Sequence, residues 1–371
     1  MACWIVSLPG GPKRSNQAAV AIGDKIYSFG DCVCSDDQST IPEETFGVHV
    51  LNTVDYRWNR VIAREFESDE SQNLINESEQ LFQPYGEIPT KRHGHTAVLY
   101  NGMVYMWGGF SSAITLCSKM YCFDPEKQTW SVIPCRSATP PARARHTAVV
   151  YDNMMFVYGG RDAIQLEIPD NVWAYNFDTQ KWYEMIIDGE SPPGREYHTA
   201  CVVNEKMYIF GGIDFTNGEL DVDVLNLERG YWERLETTGN VPYTVRDPCC
   251  WVYNDKIYVF GGCRFRDGQH TSDLFQFDPK ISKWHKMSTF GLRGPSSRQR
   301  HCGVIVGDRA YVFAGLALLT SFDESLGFGC LLEMCDLHVL SFNWTLKELA
   351  SLAVLREFIR TDFSNIPPDL E

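Results

Sequence analysis

A short pattern recurs along this chain at a nearly constant interval. Such a period constrains the fold more than composition does, because each unit must bury its apolar face against its neighbours. The copies read HTAVLYNGMVYMWGG from residue 95, HTAVVYDNMMFVYGG from 146, HTACVVNEKMYIFGG from 198, CCWVYNDKIYVFGG from 249 and HCGVIVGDRAYVFAG from 301, with a degenerate QAAVAIGDKIYSFGD from 17. From 95 onward successive copies start 51 or 52 residues apart. An arginine precedes each copy by three residues (Arg14, Arg92, Arg143, Arg195, Arg246, Arg298), and a tryptophan follows five of them (Trp58, Trp130, Trp182, Trp232, Trp284).

Within a unit, HTAVVY and MMFVYGG are too short for helices and rich in β-branched and aromatic residues, with Asp-Asn or Asn-Gly between such runs. They predict a hairpin, and VWAYNFD and KWYEMI predict a third and a fourth strand. A four-stranded sheet of this kind cannot cover both its faces alone, so the units are expected to pack around an axis as blades. The predicted fold is all-β, a six-bladed β-propeller. The Gly-Gly pairs, the aromatic runs and the spaced tryptophans resemble kelch repeats. Two units depart from the pattern, since Asp31 follows Gly30 and Ala314 precedes Gly315.

A propeller must close its ring or expose strand edges. Trp344 lies only 8 residues after Asp336, against 11 from Asp273 to Trp284, so unit 6 lacks a fourth strand of its own. The N-terminal CWIVSLP is similar to TWSVIP at 129. Residues 4–8 are therefore expected to complete blade 6, making 1–344 a single propeller domain. An acidic insertion at about 64–88, which includes EFESDESQNLINESEQ at 65–80, is expected to be a surface loop.

The net charge of −15 argues against nucleic acid as a direct partner, because phosphate binding draws on an excess of Lys and Arg. No run approaches 18 apolar residues and the start lacks a basic leader, so no membrane association is expected and the protein is expected to be soluble and intracellular, cytoplasmic with nuclear residence left open. Thirteen cysteines, an odd number set mostly within strand-like segments, suit reduced thiols rather than a disulfide framework. Cys32 and Cys34 form a CxC without a second Cys/His pair at ligand spacing, so no metal site is expected. Asn76 and Asn343 begin N-x-S/T triplets, which matter only in a secreted chain.

His95, His146, His198 and His301 hold one repeat position and read as structural. No phosphate-cradling loop and no nucleophile elbow is present, so the chain is expected to bind rather than catalyse, with no cofactor. In a propeller the loop after each Gly-Gly and the segment before each repeat histidine reach the same face. That face would gather the periodic arginines together with Arg145, Arg161, Arg264, Arg266 and Arg300. Arginine grips a carboxylate through paired charge-assisted hydrogen bonds. The non-periodic Arg161, Arg264 and Arg266 are the candidates for binding a small anionic group, with Phe110, Phe215 and Phe265 near them.

After Trp344 the composition changes. TLKELASLAVLREFIR, residues 345–360, has no Gly or Pro and predicts a helix with apolar residues on two sides. Its TLKELASLAV is similar to the elongin-binding box of cullin 2 substrate receptors, with Leu346 and Val354 matching and Ala350 where Cys is usual. IPPDL at 366–370 is similar to the Leu-Pro segment of a cullin box. Together with the six kelch units and the start WIVSLPGGPKR, the chain resembles the kelch-repeat substrate receptors of cullin 2 ubiquitin ligases. That resemblance implies a non-catalytic receptor that captures proteins ending in glycine by their C-terminal carboxylate. It implies elongin B/C and cullin 2 as partners and residues 345–371 as the docking tail, with Leu346, Ala350 and Val354 at the adaptor. Related receptors carry part of the grip on arginines after the fourth Gly-Gly, where this chain has Ile213 and Asp214. The pocket is therefore expected to shift toward unit 5. The alternatives are a kelch scaffold without a ligase role, and a kelch-fold metalloenzyme.

Overall fold

A computed structural model describes residues 2–30, 46–67, 83–111, 115–162, 168–214, 222–318 and 331–345, with 347, 348, 350, 351 and 354 of the tail. Six antiparallel sheets are arranged as blades. Blade 3 is representative: Thr147–Tyr151, Met154–Tyr158, Val172–Asn176 and Lys181–Glu184 pair in sequence order, with Thr147 opposite Tyr158 and Tyr175 opposite Trp182. The turns carry the expected chemistry. Asn101, Asp152, Asn204 and Asn254 adopt left-handed φ at the first hairpin, a conformation that Asn and Asp tolerate better than most residues.

The first strand of every blade touches the first strands of both neighbours, and the last such contact, between Ala18–Ile22 and Cys302–Val306, closes the ring. Six apolar clusters fill the six wedges between blades. In each wedge an outer-strand tryptophan packs on the aromatic ring that ends the second strand of the preceding blade: Phe29 with Trp130, Trp107 with Trp182, Tyr158 with Trp232, Phe210 with Trp284, Phe260 with Trp4 and Phe313 with Trp58. Their centroids lie 5.1 to 6.1 Å apart, the range of favourable edge and tilted pairs. The repeating tryptophan is thus the wedge between blades.

In blade 6 the outer strand is Ala2–Leu8, antiparallel to Leu337–Ser341 with a bulge between Trp4 and Val6. Outer edges are covered by the incoming connections, as where Thr289–Gly291 pairs parallel with the N-terminal strand and Thr238–Gly239 with Lys283–Lys286. The flanks of the acidic insertion do the same work. Arg64–Glu65 and Tyr85–Gly86 both pair with Thr129–Ile133 of blade 2, while 68–82 lie outside the described residues. Cys32, Cys34 and Asn76 also lie outside them.

The tail begins with a reciprocal cap: Glu348 N–H donates to Thr345 Oγ1 at 3.2 Å and Thr345 N–H to Glu348 Oε2 at 2.7 Å. Arg309 Nη2 holds the other carboxylate oxygen at 2.6 Å, fastening the helix start to blade 6 beside its first hairpin. Lys347, Glu348, Ala350, Ser351 and Val354 are helical, and Ala350 and Val354 are exposed, whereas Leu346 lies outside the described residues.

Candidate functional site at the axial mouth

The residues immediately before the repeat-histidine position are Asn16, Gly94, Arg145, Tyr197, Asp247 and Arg300, and all six adopt left-handed φ between 55° and 68°. Each amide donates to the carbonyl of its counterpart in the preceding blade. The chain of bonds runs from Gly94 to Asn16 (2.9 Å), Arg145 to Gly94 (2.7 Å), Tyr197 to Arg145 (3.2 Å), Asp247 to Tyr197 (2.8 Å), Arg300 to Asp247 (3.3 Å) and Asn16 to Arg300 (3.2 Å). This circle of six hydrogen bonds rims the axis. Left-handed φ is costly for residues with a Cβ, and here the ring satisfies the backbone groups that the conformation exposes.

The ring turns its side chains into one cluster. Arg145 Nη1 meets Glu196 Oε2 at 3.1 Å, and Arg161 Nη1 approaches the other oxygen of Glu196 at 3.9 Å. The Arg145 guanidinium lies 4.6 Å from the Tyr197 ring centre and 5.2 Å from that of Phe110, which stacks on His93. Arg300 approaches Tyr197 at 5.6 Å while its Nε meets Asp247 Oδ2 at 3.3 Å. A cavity of about 130 Å³ opens here, lined by Asn16, Arg145, Tyr197, Asp247 and Arg300 above the repeat histidines. Burial raises the Asp247 carboxyl to about 6 although Arg300 opposes the shift, and burial raises the Tyr197 phenol. Burial, then Arg145 and Arg300, lowers His93. Two guanidinium groups thus flank one aromatic ring, and planar cations so placed can meet an incoming anion.

Beneath the mouth, the periodic arginines brace the blades. Nη1 of Arg92, Arg143, Arg195 and Arg298 donates to the carbonyl of the residue that opens the Gly-Gly turn, at 3.4, 3.1, 3.4 and 3.1 Å. The histidines pack on the same turns. A Cβ at Gly108 would lie 2.5 Å from His146 Cε1 and 2.6 Å from the Arg143 carbonyl, so that glycine is sterically required. Nε2 of His146 and of His198 bonds Thr96 and Thr147 of the preceding blades, at 2.9 and 2.8 Å.

Blade 5 departs from the expected register. Val245 pairs with Arg264 and Arg246 with Cys263, just as Arg143 pairs with Asp162 and Ala144 with Arg161 in blade 3. Val245, not Arg246, therefore holds the bracing position, and Pro248, not Cys249, holds that of the histidine. The copy starts at Pro248 and is as long as the others, and because proline stands where the histidine recurs, a start at Cys249 displaces the assignment by one.

Of the arginines expected to bind a carboxylate, Arg161 joins the mouth through Glu196. Arg264 lies instead against a second cavity in blade 5, where its Nη2 meets Asp267 at 2.9 Å and its guanidinium lies 5.5 Å from the Tyr243 ring. Arg266 is exposed on the same loop. Ile213 is buried and bridged to Glu196, Phe265 is exposed, and Phe215 lies outside the described residues. Arg145 and Arg300 were expected at this face but not among the binding candidates, and Tyr197 and Asp247 were not anticipated there. The available signal was their shared place before the repeat histidine, which varies in chemistry while its neighbours repeat.

The family profile KLHDC2/KLHL20/DRC7 Kelch-repeats domain matches residues 71–165 and 94–315. The chain is 30% identical to Kelch domain-containing protein 3 of Bos taurus, over 99% of this chain and 94% of that protein. The human protein of that name shows the same identity and coverage. It is 29% identical to human Kelch domain-containing protein 1 over 55% of this chain and 54% of the relative. It is 25% identical to N-(sulfonatooxy)prop-2-enimidothioate sulfolyase of Thlaspi arvense, over 66% of this chain and 76% of that enzyme. The six sheets, the arginine and glycine brace repeated between them, and these likenesses lead to one conclusion: the chain belongs to the kelch-repeat family that includes Kelch domain-containing protein 3.

Proposed function

We propose that the axial mouth receives the C-terminal end of a partner protein and grips its carboxylate, and that the chain serves as a substrate receptor of a cullin 2, elongin B/C ubiquitin ligase. Support for the first half comes from one observation, the convergence of Arg145 and Arg300 on Tyr197 over a small axial cavity. A cavity of about 130 Å³ suits a terminal residue with little or no side chain rather than a large ligand. Arg161 adds a third cation beside Arg145, and Arg264 and Arg266 stand on the adjoining blade for contacts further along the peptide. The ligase half rests on the likeness of 345–354 to an elongin-binding box. The exposed Ala350 and Val354, carried on a helix start fastened to blade 6, are consistent with adaptor binding away from the mouth. Catalysis then belongs to the partner ligase.

The test is fluorescence polarisation with a peptide ending in glycine. Amidating its carboxylate, or substituting Arg145→Ala or Arg300→Ala, should each weaken binding by about tenfold or more, from charge-assisted hydrogen bonds worth roughly 1.5 to 3 kcal/mol. Equal affinity for the amidated peptide overturns the carboxylate reading. Co-purification with elongin B/C that is lost on Leu346→Asp supports the ligase role, and a wild-type chain that retains no elongin makes the protein a scaffold instead.

A further inference from the structure

Five blades carry a buried arginine three residues before the repeat-histidine position, four of them bonded to the carbonyl that opens the glycine turn, and blade 5 carries none. Arg298 illustrates the socket: Nη1 donates to Ala314 O, both Nη atoms meet the Asp336 carboxylate at 2.6 and 2.8 Å, and Nε donates to Ser296 O at 3.0 Å. Arg143 repeats this with Gly159 O, Asn171 Oδ1 and Pro141 O. In blade 5 the position belongs to Val245, and the backbone is otherwise unchanged. Gly212 N–H donates to Val245 O at 2.9 Å, as Gly109 donates to Arg143 O and Gly160 to Arg195 O. A valine cannot reach the groups that the arginine would engage. A cavity of about 260 Å³ lies there, lined by Val245, Gly261, Asp273, Tyr243, Phe210 and Phe275 among others.

The acceptors of the socket remain in place. Gly261 is the counterpart of Gly159, and Asp273 precedes the third strand of blade 5 as Asn171 and Asp336 precede theirs. Arg264 also lines the cavity but turns to its own loop, where Asp267 offsets its charge. Lys286 Nζ takes Asp273 Oδ1 at 2.8 Å, an exposed pair that leaves Oδ2 to be addressed. Arg264 Nε and His270 Nδ1 are buried against this space without a protein partner.

We propose that blade 5 holds an arginine socket that is filled from outside: it takes the guanidinium side chain of a bound protein, held by Asp273 and the Gly261 carbonyl with Tyr243 and Phe275 along its stem. The volume suits one side chain rather than a drug-sized ligand. The planar fork of a guanidinium matches the acceptor pattern seen in the filled sockets, which an ammonium cannot reproduce. Val245 is two residues from Asp247, about 7 Å along an extended chain, so one short peptide can reach both the socket and the mouth. The socket does not depend on what the mouth binds.

Calorimetric titration of the full chain with ethylguanidinium chloride and with ethylammonium chloride, each to about 20 mM, tests the socket directly. Ethylguanidinium is expected to bind about tenfold more tightly than ethylammonium. Val245→Arg supplies the missing side chain from within, so it should abolish ethylguanidinium binding and raise the melting temperature. Should that variant fail to fold, Asp273→Asn is read in its place and should weaken binding by about fivefold or more. No binding to the wild type, or binding unchanged in the substituted protein, overturns the proposal. A glycine-ended peptide without arginine should bind Val245→Arg as it binds wild type. Failure of that peptide on both proteins counts against the mouth alone.

Discussion

The amide of Asn16 donates to the carbonyl of Arg300 at 3.2 Å and so completes the ring of six backbone hydrogen bonds around the axis. This bond joins the first repeat to the last at the axis, as does that from Gly315 N–H to Arg14 O at 2.8 Å. At the rim of the molecule the same joint is made a second time, where Ala2–Leu8 lies along Leu337–Ser341. Inner and outer closures therefore both draw on residues that precede blade 1.

Removing residues 2–8 should lower the melting temperature by several degrees, and Trp4→Ala should account for most of the loss. Trp4 is buried, packs edge-on against Phe260 at 6.1 Å and donates from Nε1 to Thr289 Oγ1 at 3.1 Å. Truncating a buried tryptophan costs about 3 to 5 kcal/mol. Thermal denaturation of the two variants checks this, and melting at the wild-type temperature would mean that the N-terminal strand is dispensable.

Acid should destabilise the protein well above the carboxylate range. Burial first, then the neighbouring arginines, lowers His95, His198 and His301 to about 3 and His146 well below its ordinary 6.5. These rings stay neutral in the fold while the unfolded chain protonates them. Their contribution is thus present above pH 6.5 and is lost as the pH falls toward 3. At pH 5.5, one unit below the ordinary histidine value, the loss is on the order of 1 kcal/mol for each such group. Urea denaturation between pH 7.5 and 5.5 should report this loss, and a flat profile would place the histidines in contact with solvent.

Asp247 has the opposite sign. Burial raises its carboxyl to about 6, so its protonated form is favoured by folding and the stability it contributes fades as the pH rises from about 4 through 6. Asp247→Asn cannot ionise. Whatever the offset from losing the Arg300 contact, the difference in melting temperature should shift in favour of the variant between pH 4.5 and pH 7.5. A difference independent of pH would show a solvated carboxylate at the mouth.

The period, the strand lengths and the Gly-Gly turns were legible because each reflects a local rule: alternation, turn chemistry and a backbone that excludes a Cβ. Six blades followed from counting. The candidate site was only partly legible. Arg145 and Arg300 could be assigned to a face, but their meeting over Tyr197 depends on three blades set around one axis. Arg264, on a loop of similar appearance, faces a different cavity because Asp267 and Gln269 lie within its own loop.

The blade 5 register shows the same division. Pro248 replaces the histidine that marks the start of a copy, so the motif reads as starting at Cys249 with Arg246 three residues before it. Pairing across the sheet assigns Val245 there instead, because the hydrogen-bond ladder counts residues from the Gly-Gly turn rather than from a motif. Sequence alone determined the kind of unit and how many there are, since patterning within a unit is a property of neighbours along the chain. Tertiary structure alone decided which side chains share the mouth and which blade lacks its bracing arginine, since those depend on contacts between blades that are about 50 residues apart in sequence.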